Sequence, residues 1–251
     1  MPPITRKFGS LYLDGVPCEP GASIRNGAKG LRVKIGNSDL KMISWVVVGN
    51  ILVAQRELLL DISWNTLKDN GLIDNKNVII DRLPYQIRLL HKGEDVEDLG
   101  EFQQYIDVLG ELCTAGSVDR RIWLNGPEDQ IGFKPIVFRS EESGGKFLYD
   151  VRGLTPAAAS GTAWLPALEP VRADLDKALE NEDVAIWTTT GEFVTGRLVE
   201  ISEYDLLLAS SLCIAADGTS NSPWVREFGF CRAVDREGIW SLQLYDKGEY
   251  T

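Results

Sequence analysis

The sequence predicts a mostly β, α+β protein in two domains, and three observations carry that prediction. Short runs of alternating or continuous apolar and β-branched residues recur along the chain, separated by Gly, Pro, Asn and Asp turns. Only three stretches carry apolar residues at helical spacing. A polar joint, Ser140-Glu141-Glu142-Ser143-Gly144-Gly145, follows a strong strand at 134–138 and divides the 251 residues into domains of 1–145 and 146–251. Each half is long enough to bury a core of its own.

In the first domain, Leu31-Arg32-Val33-Lys34-Ile35 alternates and predicts a half-buried strand. Residues 43–48 are nearly all apolar and predict a buried strand. Gly49-Asn50 then reads as a tight turn into a strand at 51–55. Residues 77–80 and 85–90 repeat the pattern, joined by Asp81-Arg82-Leu83-Pro84. A helix is predicted over 57–68, stopped by Asp69-Asn70-Gly71. A stronger helix places Leu99, Phe102, Ile106, Leu109 and Cys113 on one face, with Asp98 as its cap and acidic residues in the first turn.

In the second domain a helix is predicted over 169–181, with Pro170 in the first turn and Val171, Leu175 and Leu179 on one face. Strands follow at 184–188 and 193–201, with Thr190-Gly191 turning between them. Gly196 inside the second strand permits a sharp bend or bulge. Tyr204-Asp205 makes the next corner into a strand at 206–208, and a long polar loop follows at 216–223.

The order of elements over 169–209 resembles the Sm-like fold and other SH3-like barrels. That resemblance implies a small β-barrel led by one helix. Many such barrels bind RNA, but the Asn of the Sm-like RNA pocket has no counterpart in 225–230, and 234–238 is mixed in charge.

Segments 51–56, 60–64 and 85–90, with Gly132-Phe133-Lys134-Pro135-Ile136-Val137, resemble bacterial and phage-borne proteins with a C-type-lectin-like core. There a Gly, Phe, basic residue, Pro and apolar strand closes the domain. The same closing segment occurs in the variable proteins of diversity-generating retroelements and, altered, in formylglycine-generating enzymes. The resemblance implies a lectin-like α+β first domain. The catalytic cysteine pair of the formylglycine-generating enzymes has no match here. The loop at 114–130, where such domains carry ligand, is short.

Acidic residues outnumber basic ones by 37 to 26, for a formal net charge of -11. A phosphate backbone is repelled by that average field, so nucleic acid is not the expected partner. The first residues lack the apolar core of a secretory signal, and no run approaches the ~18 apolar residues of a membrane span. The expectation is a cytoplasmic protein, or one inside a phage particle, without a membrane partner. Cys18, Cys113, Cys213 and Cys231 lie far apart, and His91 is the one histidine. Neither a metal site nor a cofactor is expected from that spacing.

No phosphate-binding loop, dinucleotide fingerprint or nucleophile elbow appears. His91 sits beside Glu94, Asp95, Glu97 and Asp98, which offers a carboxylate-based hydrolase as the enzymatic alternative. An Sm-like RNA-binding ring is the other alternative. No catalytic residue is assigned. The candidate ligand-binding residues are Trp224, which follows the turn-rich Ser222-Pro223, Trp164 near a loop, and the oxygen-bearing Asn125 and Asp129 beside Glu128. Two binding-type domains in tandem predict a non-enzymatic binding or assembly protein that recognises another protein or itself.

Overall fold

The computed structural model describes residues 3–24, 30–93, 99–109, 121–126, 134–141, 147–214 and 222–245. It is mostly β and includes a sheet curled into a half-barrel. In chain order the strands begin with β1 (Thr5–Leu13), β2 (Val16–Cys18), β3 (Ala22–Ser23), β4 (Val33–Gly36), β5 (Met42–Val48), β6 (Ile51–Ala54) and β7 (Leu59–Leu60). After helix α1 (Trp64–Asp69) come β8 (Lys76–Ile80) and β9 (Leu83–Leu89), then helix α2 (Glu101–Leu109). Next are β10 (Arg121–Trp123), β11 (Lys134–Glu141), β12 (Phe147–Leu154), β13 (Thr162–Trp164) and β14 (Pro166–Pro170). The chain closes with β15 (Asp183–Thr188), β16 (Phe193–Ile201), β17 (Asp205–Ile214), β18 (Val225–Phe228), β19 (Cys231–Asp235) and β20 (Ile239–Leu244).

Among the described residues these strands form three sheets. The first runs β2-β1-β5-β6-β14-β9-β8, with β4 also paired to β1. The second runs β12-β11-β10-β13-β7-β3, and the third β18-β19-β17-β16-β15-β20. The first two sheets share one large core with α1 and α2. Its largest fully buried side chains include Trp45, Trp123, Trp164, Tyr85 and Phe102. Two of the indoles are satisfied inside it: Trp45 Nε1 donates to Phe8 O at 3.0 Å and Trp123 Nε1 to Ile62 O at 2.8 Å. That pairing matters because an unpartnered buried donor costs about 1–3 kcal/mol.

The joint expected at 145 falls between β11 and β12, which pair antiparallel from Lys134↔Leu154 to Glu141↔Phe147. Beyond them, β13 belongs to the second sheet and β14 is inserted between β6 and β9 of the first. The chain therefore passes into the third sheet between Pro170 and Asp183.

The helix expected over 169–181 is not formed. Glu169 and Pro170 finish β14, paired to Gln86 and Tyr85, and the only helical turn is a 3-10 turn at Lys177–Leu179. The pairing of an inserted strand outweighs the weak preference of an isolated helical pattern. The helix expected over 57–68 shortens to α1, because Leu59 and Leu60 pair with β13 and β3. Ser63 caps α1 by accepting from Thr66 N at 3.1 Å. The second predicted helix is α2, with Phe102, Tyr105 and Leu109 buried.

The third sheet bends where the sequence anticipates it. The β16–β17 register shifts between Thr195 and Arg197. A Cβ on Gly196 would lie 2.8 Å from Ala209 O, so only glycine lets the two backbones close. A 3-10 turn, Arg236–Gly238, separates β19 from β20.

The sheet docks on the first through polar and aromatic contacts. Trp240 Nε1 donates to Gly49 O at 2.8 Å, Arg172 Nη2 to Asn50 O at 2.9 Å, and Gln243 Nε2 to Pro84 O at 2.7 Å. The turn carbonyls of the β5–β6 hairpin thus anchor Trp240 of the last strand and Arg172 of the connection before β15.

Candidate functional site

The third sheet turns its aromatic residues away from its own core. That core consists of Leu179, Val184, Ile186, Val194, Leu198, Leu206, Leu208, Val234 and Leu242. Alternation along β17 to β19 sends every second side chain outward. Phe228 ends β18 and Phe230 begins the return after Gly229, whose φ is +61°. Phe228 is 69% exposed and Phe230 fully exposed. Phe228 edges a shallow groove with Leu207, Ala233, Glu200, Ser202 and Asp205. Tyr204, at the β16–β17 corner, is 70% exposed.

The opposite flank of this sheet faces the first sheet across a cleft of about 510 Å³. Phe8 from β1, Tyr85 from β9, Trp187 from β15 and Phe193 from β16 form a ladder of rings. The centroids of Phe8 and Tyr85 are 5.6 Å apart, those of Phe8 and Trp187 6.1 Å, and those of Trp187 and Phe193 4.2 Å. Arg6 lies over the Trp187 ring at 4.9 Å, and Arg82 over the Tyr245 ring at 5.2 Å. Gly191 passes directly beneath Arg6: a Cβ there would meet Nη2 at 2.2 Å, and its φ is +96°. Burial lowers the Arg6 guanidinium to about 10, and the charge of Glu192 opposes that shift.

The turn that delivers Arg82 to this cleft is conformationally costly. Asp81 and Arg82 both take positive φ, 50° and 69°. Tight β8–β9 pairing, Ile80↔Leu83, demands that geometry. Asp81 is held by Ser38, whose backbone N–H donates to Oδ1 at 2.7 Å and whose hydroxyl donates to Oδ2, while Asn37 Oδ1 accepts from Asp81 N at 2.9 Å. Strain of this kind persists only where the surroundings fix it.

A third cluster surrounds His91. Arg88 is buried and makes a bidentate pair with Glu101, at 2.6 and 2.8 Å. Glu101 Oε2 also accepts from His91 N at 2.7 Å. Burial raises the Glu101 carboxyl, but the Arg88 hydrogen bond, the His91 N–H and the Arg88 charge outweigh it and hold it below its ordinary value. Partial desolvation and then Arg88 lower the His91 pKa. These groups form an electrostatic knot between β9 and α2, joined from β14 by Glu169 at 3.8 Å from Arg88.

The expected ligand residues do not converge. Trp164 is fully buried between β7 and β10 and presents no ring face to solvent. Trp224 is half-buried against Gly238, where a Cβ would lie 2.3 Å from the indole, so its ring is not the free surface that the preceding turn implies. Asn125 is half-buried, bridged to His91, and its Nδ2 donates to Asp74 at 2.8 Å. Asp129 lies outside the described residues, as do Glu128, Cys113 and the acidic run at 94–98. Among the described residues no cluster of three or more His, Cys, Asp or Glu is arranged to hold a metal ion. Among them, too, no helix is long and apolar enough to cross a membrane.

Sequence reasoning missed both surfaces that the fold builds. The Phe-Gly-Phe pattern at 228–230 was legible as an exposed aromatic turn, since glycine between two rings marks a hairpin tip. The cleft carries no local signal, because its walls come from segments as far apart as Thr5–Phe8, Ser38, Ile80, Tyr85, Trp187 and Tyr245. Comparison with protein-family models, with curated proteins and with solved structures gives no match.

Proposed function

We propose that this is a non-enzymatic binding or assembly protein that recognises another protein through the outer face of its third sheet. The observation that carries the reading is the exposed pair Phe228 and Phe230 at the β18–β19 tip. Aromatic anchors of this kind dominate protein interfaces, each ring removing about 150–250 Å² from water when covered. The adjoining groove supplies Leu207 and Ala233 as its floor, with Glu200 at its rim. Asp205 of the groove pairs with Arg226 at 2.7 Å and Glu227 with Arg232 at 3.7 Å, which leaves Glu200 and the exposed Glu203 as the charges of its rim. The partner that fits is a protein with an apolar patch beside basic groups.

The third sheet is read as a small SH3/Sm-like barrel in this proposal. In its support, β20-β15-β16-β17-β19 is an antiparallel run with a bent second strand and a 3-10 turn before the last. The leading helix of that pattern is absent. The lectin-like reading of the first domain rests on segments 51–56, 60–64 and 85–90 with the closing segment at 132–137, of which Lys134 to Val137 lie in β11.

The test is site-specific photocrosslinking in the cells that make the protein. A benzophenone amino acid replaces Phe228, and a control replaces Val16, which is 66% exposed on the first sheet. The expected result is one discrete protein adduct from position 228, lost when Phe230→Ser is added. Labelling at 228 no stronger than at 16 sinks the proposal.

A further inference from the structure

The cleft between the first and third sheets has a chemistry of its own, independent of the outer face. Its volume, about 510 Å³, suits a small organic ligand. Its walls are aromatic, and the sign of its charge runs against the rest of the chain. Arg6, Lys7 and Arg82 border it or lie over its rings. A polar annex of about 330 Å³, reached past Tyr245, adds Arg197. The two acids there are engaged: Asp81 by Ser38, and Asp183 by Arg197 at 3.2 Å.

Three side chains in one wall carry enclosed polar atoms with no hydrogen-bond partner among the described residues: Arg6 Nε and Nη2, Trp187 Nε1 and Tyr85 Oη. Trp187 Nε1 points toward the Tyr85 hydroxyl without reaching good geometry. Arg6 spends one nitrogen on Thr5 O at 3.0 Å and keeps the other two unused. Buried donors in folded proteins are nearly always satisfied, so a wall with several orphans marks a missing acceptor. A guanidinium edge with two unpaired N–H groups matches the two oxygens of a carboxylate. The flat rings beside it match a flat apolar body.

We propose that this cleft binds a small planar aromatic carboxylate, with its ring among Trp187, Phe193 and Tyr85 and its carboxylate on the Arg6 guanidinium. Arg6 turns its enclosed edge toward the ligand on binding, a side-chain adjustment common at binding sites. In the free protein burial disfavours the Arg6 guanidinium more than the charge of Glu192 favours it, so removing the charge favours the fold. Arg6 is therefore a binding residue whose loss makes the protein more robust.

Fluorine NMR titration of the purified full chain with para-fluorobenzoate, para-fluorobenzamide and phenyl phosphate tests this. The acid is expected to bind about tenfold or more tightly than the amide, the scale of one charge-assisted hydrogen-bond pair. Arg6→Met is expected to abolish that preference while raising the melting temperature. Trp187→Phe keeps an aromatic face, drops one donor, and weakens the acid by about threefold. Equal binding of acid and amide, no binding of either, or an unchanged preference in Arg6→Met overturns the proposal. Tighter binding of phenyl phosphate than of the acid overturns the carboxylate assignment. If Arg6→Met does not fold by circular dichroism, Arg6→Lys keeps the charge without the fork; an unchanged affinity there is equally fatal.

Discussion

The two cores of this molecule are built from different residues. The core under the first two sheets is filled by rings, with Trp45, Trp123, Trp164, Tyr85 and Phe102 fully enclosed. The core of the third sheet is aliphatic throughout, and its rings face outward: Trp187 and Phe193 toward the cleft, Trp240 onto the β5–β6 turn, Phe228 and Phe230 into solvent. Large rings in a core stabilise it; large rings on the outside of a small sheet make contacts with something else. The first unit is organised for stability and the third for contact.

The sharpest way to break that comparison is to remove one buried side chain from each core. Trp45→Ala deletes a fully buried indole and its bond to Phe8 O, and is expected to cost about 3–5 kcal/mol by urea denaturation. Leu208→Ala in the aliphatic core is expected to cost about 2–4 kcal/mol. By hydrogen exchange, its loss of protection concentrates in β15 to β20 while β5 and β6 stay protected. Uniform loss across both units would show a single cooperative body and end the distinction.

Glu101→Gln leaves Arg88 buried beside a neutral amide, with an expected cost of about 3 kcal/mol. It also changes the acid limb. The Glu101 pKa is depressed in the fold, so its stabilisation is present above the ordinary value of 4.5 and is lost as pH falls through the depressed one. Glu101→Gln should flatten stability against pH in that range. His91 is depressed as well, so its share is present above 6.5 and declines below, and His91→Gln should remove a shallower slope there. The smallest effect belongs to the outer face. Phe228→Ser with Phe230→Ser is expected to shift unfolding by about 0.5 kcal/mol or less, since neither ring is buried.

The strands of the fold were legible wherever burial imposed a pattern. Residues 43–48, 51–55, 77–80 and 193–201 fall within a residue or two of β5, β6, β8 and β16. Gly49 makes its turn with φ +55°, and Gly196 makes its bulge. What failed was local pattern without tertiary support. Val171, Leu175 and Leu179 have helical spacing, yet Val171 is 41% exposed and its neighbour Pro170 completes a strand. The aromatic residues were visible and their placement was not. Trp164 and Trp224 both stand near turns, but one is a core residue and the other leans on Gly238. Which face a ring takes depends on register with strands far away in sequence, and that is set only when the sheets form.

The insertion of β14 between β6 and β9 dictates when the molecule can be made. The first sheet waits for residues 166–170, which follow β9 only after α2 and four further strands. Until they emerge from the ribosome, β6 and β9 are open edges, rich in apolar residues and free to pair with a neighbouring chain. A fragment ending at 145 would stay in that condition permanently and is expected to aggregate, whereas a fragment ending at Asn181 would carry every strand of the first two sheets.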